Sequence, residues 1–185
     1  CFTGYLNKKF DSQYMNDWDG YKDNNKLTLS MIRLADVYLM YAEAVAEGYG
    51  SPTSTSSNYT MSALAAVNKI RERAGVADIA AEYTTSLDGF MSELRRERAV
   101  ELAFEGHRFN DLRRWLLLDK APYTQKKAVY FDRATDQTND VRFADPKNGH
   151  VLNLREEVLS ERKFTEKHYW FPFLKNKVKM YTDFK

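Results

Sequence analysis

The stretch FEGHRFNDLRRW, Phe104 to Trp115, decides how this chain is read. Six of its twelve residues carry ionisable side chains, yet Phe104, Phe109, Leu112 and Trp115 recur at near-helical spacing. Such a pattern is either a catalytic face or a charged seam between helices. Just upstream, ELRRERAVELAFEGHR places Glu97, Glu101 and Glu105 at i, i+4 and i+8, on one face of a helix. Arg95, Arg96 and Arg98 flank them, and Arg108, Asp111, Arg113 and Arg114 follow. A glycosidase pair needs carboxylates on facing walls about 5–9.5 Å apart, whereas carboxylates one turn apart on a helix share a wall. A di-metal bundle uses Glu-x-x-His, and His107 follows Glu105 at the wrong spacing. The pattern therefore predicts a structural ion-pair network of Glu101, Glu105, Arg108, Asp111 and Arg114. It would tie together the two helices on either side of the break at Gly106.

Working outward, a helix is predicted from about Asp88, its candidate N-cap, to Glu105, and another over about Phe109–Leu118. Before these, LSMIRLADVYLMYAEAVAEGYG has a helical period, with Gly48 as the expected stop. Ile32, Ala35, Leu39, Ala42 and Ala46 share one face, and Leu34, Val37, Tyr38, Tyr41 and Val45 share another. Arg33, Asp36, Glu43 and Glu47 form its polar stripe, so the helix is expected to be covered on several sides. A further helix spans about Thr60–Ala74, with Leu64, Val67, Ile70 and Ala74 inward and Gly75 as stop. The expected fold is mainly α: antiparallel, tetratricopeptide-like helix pairs over about residues 30–118, then a loop-rich region over 119–185 that wraps back. Repeat stacks need about three or more units to bury a core, so two pairs predict further chain beyond this piece. The apolar surface near Tyr38 and Tyr41 would face that part, or another chain.

Composition excludes several functions. A net charge of +2 over 185 residues gives no broad pull toward nucleic acid. The single cysteine, Cys1, allows neither an intrachain disulfide nor a multi-thiolate zinc site. As first residue it invites the reading of an acylated N-terminal cysteine, but Phe2, Tyr5, Leu6 and Phe10 follow it instead of a polar tether, and it reads rather as an ordinary interior cysteine. His107, His150 and His168 are scattered, without metal-ligand spacing. There is no glycine-rich phosphate loop and no nucleophile elbow. No catalytic residue, metal or cofactor is expected.

One stretch mixes rings with amides and carboxylates: Tyr14, Asn16, Asp17, Trp18, Asp19 and Tyr21. Sugars stack C–H faces on rings and need planar polar partners for their hydroxyls. A shallow glycan site is expected here, with Trp18 and Tyr21 stacking and Asn16, Asp17 or Asp19 bonding hydroxyls. Surface loop held down by its aromatics is the simpler alternative.

The segments IRLADVYLMYAEA (Ile32–Ala44), VNKIRERAG (Val67–Gly75) and LRRERAVELAFEGHRFNDLRRW (Leu94–Trp115) resemble, in order and spacing, the RagB/SusD family of outer-membrane lipoproteins. TGYLNKKF near the start resembles a Thr-Gly-Tyr segment of that family. HYWFPFLKNKV resembles its closing Pro-x-Pro segment, with Leu174 where the second proline is usual. The resemblance implies a SusD-like helical fold and a non-enzymatic role at the Bacteroidetes cell surface. Members are longer lipid-anchored proteins that lid a TonB-dependent transporter and capture a nutrient, usually a glycan and in some cases peptide. It implies that this chain is the C-terminal portion, anchored through an N-terminal part not present here. The competing readings are a generic tetratricopeptide-like module that binds protein or peptide, and a glycoside hydrolase.

Overall fold

The computed structural model describes residues 9–10, 30–133 and 151–179. The chain divides into two units, residues 12–108 and residues 109–185 with 1–11. The first is helical, with α1 (Leu34–Tyr49), α2 (Ala63–Arg73), a one-turn α3 (Ala81–Thr84) and α4 (Leu87–Glu101). α5 (His107–Arg114) follows across the boundary. The second unit then holds an antiparallel hairpin of β1 (Gln125–Arg133) and β2 (Val151–Glu161), a 3₁₀ turn (Glu166–Tyr169) and a short α6 (Lys175–Val178). The helix-rich architecture is as expected.

The helical unit closes around small residues. Ala42 and Ala46 of α1 and Ala63 and Ala66 of α2 are wholly buried, which lets the two helices approach closely. Leu39, Val67, Phe90 and Leu94 fill the remaining volume. Each such side chain contributes about 1.5–3 kcal/mol relative to exposure. The ends of the helices fix their directions. Arg33, immediately before α1, bonds Glu101 at the end of α4, and Glu101 bonds Arg73 at the end of α2. α1 therefore runs antiparallel to both.

Several boundaries differ from the sequence reading. α1 passes through Gly48 and ends at Gly50, whose φ of 66° is the left-handed cap. Nothing in a helix forbids a glycine; only the left-handed position requires one. α4 is capped by Ser86, whose hydroxyl accepts from Gly89 N–H, not by Asp88. It ends at Glu101, four residues before Glu105. Phe104 (φ 64°) and Gly106 (φ 84°) are both left-handed, so the chain turns there before α5. Leu116 (φ 56°) likewise turns the chain shortly after α5 ends at Arg114. Ser62 caps α2, and the expected stop at Gly75 is present, with φ 70°.

Faces also differ. Ile32 is 68% exposed because α1 has not begun there. Leu34, Val37 and Met40 line an exposed side of α1, while Tyr38 and Tyr41 pack partly buried against the core. The Tyr41 hydroxyl donates to the Met61 carbonyl at 2.5 Å. The uncovered apolar surface of α1 is thus on the Leu34–Met40 side, not at the tyrosines.

The hairpin is the part of residues 119–185 that the sequence reading did not anticipate. Gln125 pairs with Glu161 and Arg133 with Val151, with irregularities at Lys126/Lys127 and Tyr130/Asp132. Those irregularities break the alternation that would have marked strands. Every residue of β2 is exposed, while Ala128 of β1 is fully buried. Arg162 N–H extends the ladder to the Thr124 carbonyl at 2.8 Å.

Candidate functional site

The charged seam faces α1 and α2. Arg33 donates to Glu105 through Nε (2.8 Å) and Nη2 (2.8 Å), and to Glu101 through Nη1 (2.5 Å). Its Nη2 also reaches the Glu101 carbonyl at 2.6 Å. Donation to Glu105, the largest effect, holds the Arg33 guanidinium above its ordinary range; burial opposes it, and donation to Glu101 adds to the rise. Arg71 bonds Glu97 at 2.6 Å and the Ala77 carbonyl at 2.6 Å. Deepest lies Arg98, which bonds Asp36 at 2.6 Å with both side chains 5% exposed. Asp36, assigned by sequence to a polar stripe, is therefore an interior charge. The reason is that α4 presents an arginine to that side of α1, which sequence spacing alone does not show.

Of the expected network, Glu101 and Glu105 thus join α4 to α1 and α2. Asp111 is buried and accepts from Arg114 Nε at 3.0 Å, one turn away on α5. Arg108 stands exposed in the first turn of α5. Within residues 109–185, Arg113 donates to the Tyr169 carbonyl from Nε at 3.0 Å and Nη2 at 2.5 Å, and its guanidinium lies 3.9 Å from the Phe171 ring centroid. Tyr169 donates its hydroxyl to Asp119. That hydrogen bond is the main reason the Asp119 carboxyl is held below the ordinary carboxylate range. Partial desolvation, then Asp119, pushes the Tyr169 hydroxyl up.

A concave feature lies at the open end of the α1–α2 seam, a cavity of about 250 Å³. Ala35 and Ile70 form its floor, Leu34 and Tyr38 its walls, and Arg33, Lys69 and Arg73 its charged rim. Lys69 Nζ lies 6.0 Å from the Tyr38 ring centroid. Sequence reading missed this place, although Lys69 and Arg73 at i, i+4 share a helix face and the signal was available. At the opposite end of α1, the rings of Tyr49 and Tyr59 lie with centroids 4.6 Å apart and planes tilted by 32°.

The expected glycan residues Tyr14, Asn16, Asp17, Trp18, Asp19 and Tyr21 lie outside the described residues. Among the described residues, no group of three His, Cys, Asp or Glu is placed to hold a metal ion. No described helix is long and apolar enough to cross a membrane.

The antiparallel helices of this unit, pinned by buried arginine–carboxylate pairs, form a scaffold. A model of the SusD family matches residues 2–183, and the chain belongs to that family. A SusD-like protein from Bacteroides fragilis, known from its crystal structure, shares the fold at a TM-score of 0.58 and 24% identity. The likeness covers 83% of this chain and 24% of that one, so the chain spans about a quarter of that protein's length. A comparison with curated proteins finds no match.

Proposed function

We propose that this chain is part of a non-enzymatic nutrient-binding protein of the cell surface. Its ligand is a glycan, and it works with a TonB-dependent outer-membrane transporter. The observation that carries this is the SusD family match over nearly the whole chain. The arrangement of charge accords with it: Glu97, Glu101 and Glu105, which the sequence singles out, are each engaged with an arginine from another segment. In this reading the whole protein sits at the outer membrane through a lipid anchor in a further part of the same protein. That part completes the assembly, and no cofactor is used.

Trp18 and Tyr21, with Tyr14, Asn16, Asp17 and Asp19, remain the residues we propose for a glycan site. Affinity should be weak, because a shallow site leaves much of the ligand in water. The experiment is affinity electrophoresis through gels containing a panel of glycans, with Trp18→Ala as the variant. Retarded migration of the parent and faster migration of a folded Trp18→Ala variant is the expected result. Equal retardation of the two removes Trp18 from the site, and hydrolysis of any glycan in the gel overturns the non-enzymatic reading.

A further inference from the structure

We infer that the cavity between α1 and α2 is a subsite for a carboxylate-bearing sugar, a uronic acid unit within a glycan. This rests on the nutrient-binding reading and narrows its ligand class. Three cations surround the cavity: Arg33, Lys69 and Arg73. Two carboxylates answer them. Arg33 is engaged by Glu101 and Glu105, and Arg73 shares Glu101 at 2.6 Å while its side chain stays 60% exposed. Lys69 is the rim cation that has no carboxylate partner among the described residues. A single such charge suits a carboxylate better than a doubly charged phosphate.

Shape and lining agree. Ile70 is 2% and Ala35 8% exposed, so the floor is apolar and fixed by the core beneath it. The Tyr38 ring packs partly buried against that core, which holds its orientation. A pyranose has an apolar C–H face for such a wall and a polar edge for the rim. The volume of about 250 Å³ is below the roughly 300–1,000 Å³ of pockets for drug-sized ligands, so it fits one ring of a longer chain. A helix of a partner protein, roughly 10–12 Å across, would not enter it.

The test is affinity electrophoresis of the 185-residue chain in gels containing polygalacturonan or neutral galactan. The parent should be held more strongly by polygalacturonan, and that preference should fall as salt is raised. Lys69→Gln alters an exposed side chain and should keep the helical circular dichroism spectrum. It should reduce the polygalacturonan preference roughly fivefold, as loss of one partly screened charge contact does. Equal retention by the two polymers, or a preference unchanged in Lys69→Gln, overturns this inference and leaves the nutrient-binding reading standing. No retention by either polymer, nor by any glycan of the wider panel, defeats both. Displacement from polygalacturonan by triglutamate but not by digalacturonate assigns the cavity to a peptide carboxylate and overturns the sugar assignment.

Discussion

The helical unit and the hairpin use charge and apolar surface in opposite ways. In the helical unit Leu39, Phe90 and Leu94 are packed into a core and the deepest charges are paired across elements: Arg98 with Asp36, Arg71 with Glu97. On β2 the apolar residues Val151, Leu152, Leu154, Val158 and Leu159 are all about half exposed or more. The charges there pair at the surface, Lys127 with Glu156 and Arg155 with Glu157, both at 2.9 Å. Exposed pairs of this kind contribute about 0–1 kcal/mol. A two-stranded hairpin is marginal on its own. The lesson is that similar residue types hold the helical unit together and merely decorate the hairpin; burial decides which.

Truncating a side chain in each region breaks the comparison most sharply. Phe90→Ala removes a fully buried ring from α4 and should cost about 3–5 kcal/mol, read from urea unfolding. Leu154→Ala removes an apolar side chain that is 65% exposed and should shift stability by no more than about 0.5 kcal/mol. Comparable losses from both would mean that the hairpin is as tightly held as the helices.

Between those extremes lie the charges. Arg108 is exposed, so Arg108→Ala should change stability by about 0.5 kcal/mol or less, measured by the same unfolding curve. A loss of several kcal/mol would place Arg108 in the load-carrying seam with Arg98.

The smallest effect is a titration. The Tyr169 hydroxyl holds the Asp119 carboxyl below its ordinary value. Stability from that contact is full above the ordinary aspartate range and is lost as pH falls through the lowered value. In Tyr169→Phe, the Asp119 carboxyl should return toward the ordinary range when followed by carbon-13 NMR. An unmoved titration would mean that Lys120, whose Nζ lies 3.2 Å from Asp119, holds the carboxyl down instead.

What the sequence disclosed follows the same division. Local period is enough to find α1, α2 and α4, because each buries a recurring face: Ala35, Leu39, Ala42 and Ala46 in α1, and Val67 and Ile70 in α2. It also placed Glu97 and Glu101 on one face of α4; Glu105 lies beyond the helix end and the left-handed Phe104, and all three meet arginines from other segments. It could not say which arginines those were. Arg33, Arg71 and Arg73 lie 72 to 26 residues away along the chain, a separation at which spacing carries no information. The hairpin escaped notice because its strands lack alternation, with all of β2 exposed. The cavity escaped because it needs α1 and α2 together, and neither helix alone shows concavity.

The central claim is that the charges of α4 hold helices together. A double-mutant cycle on Asp36 and Arg98, with Asp36→Ala, Arg98→Ala and the pair compared by urea unfolding, tests it most directly. Either single change breaks a buried pair and should cost about 3–5 kcal/mol. The double change should cost well under the sum, with a coupling of about 1.5 kcal/mol or more. Additive losses to within about 0.5 kcal/mol would contradict the account, because Asp36 and Arg98 would then contribute to stability independently of each other.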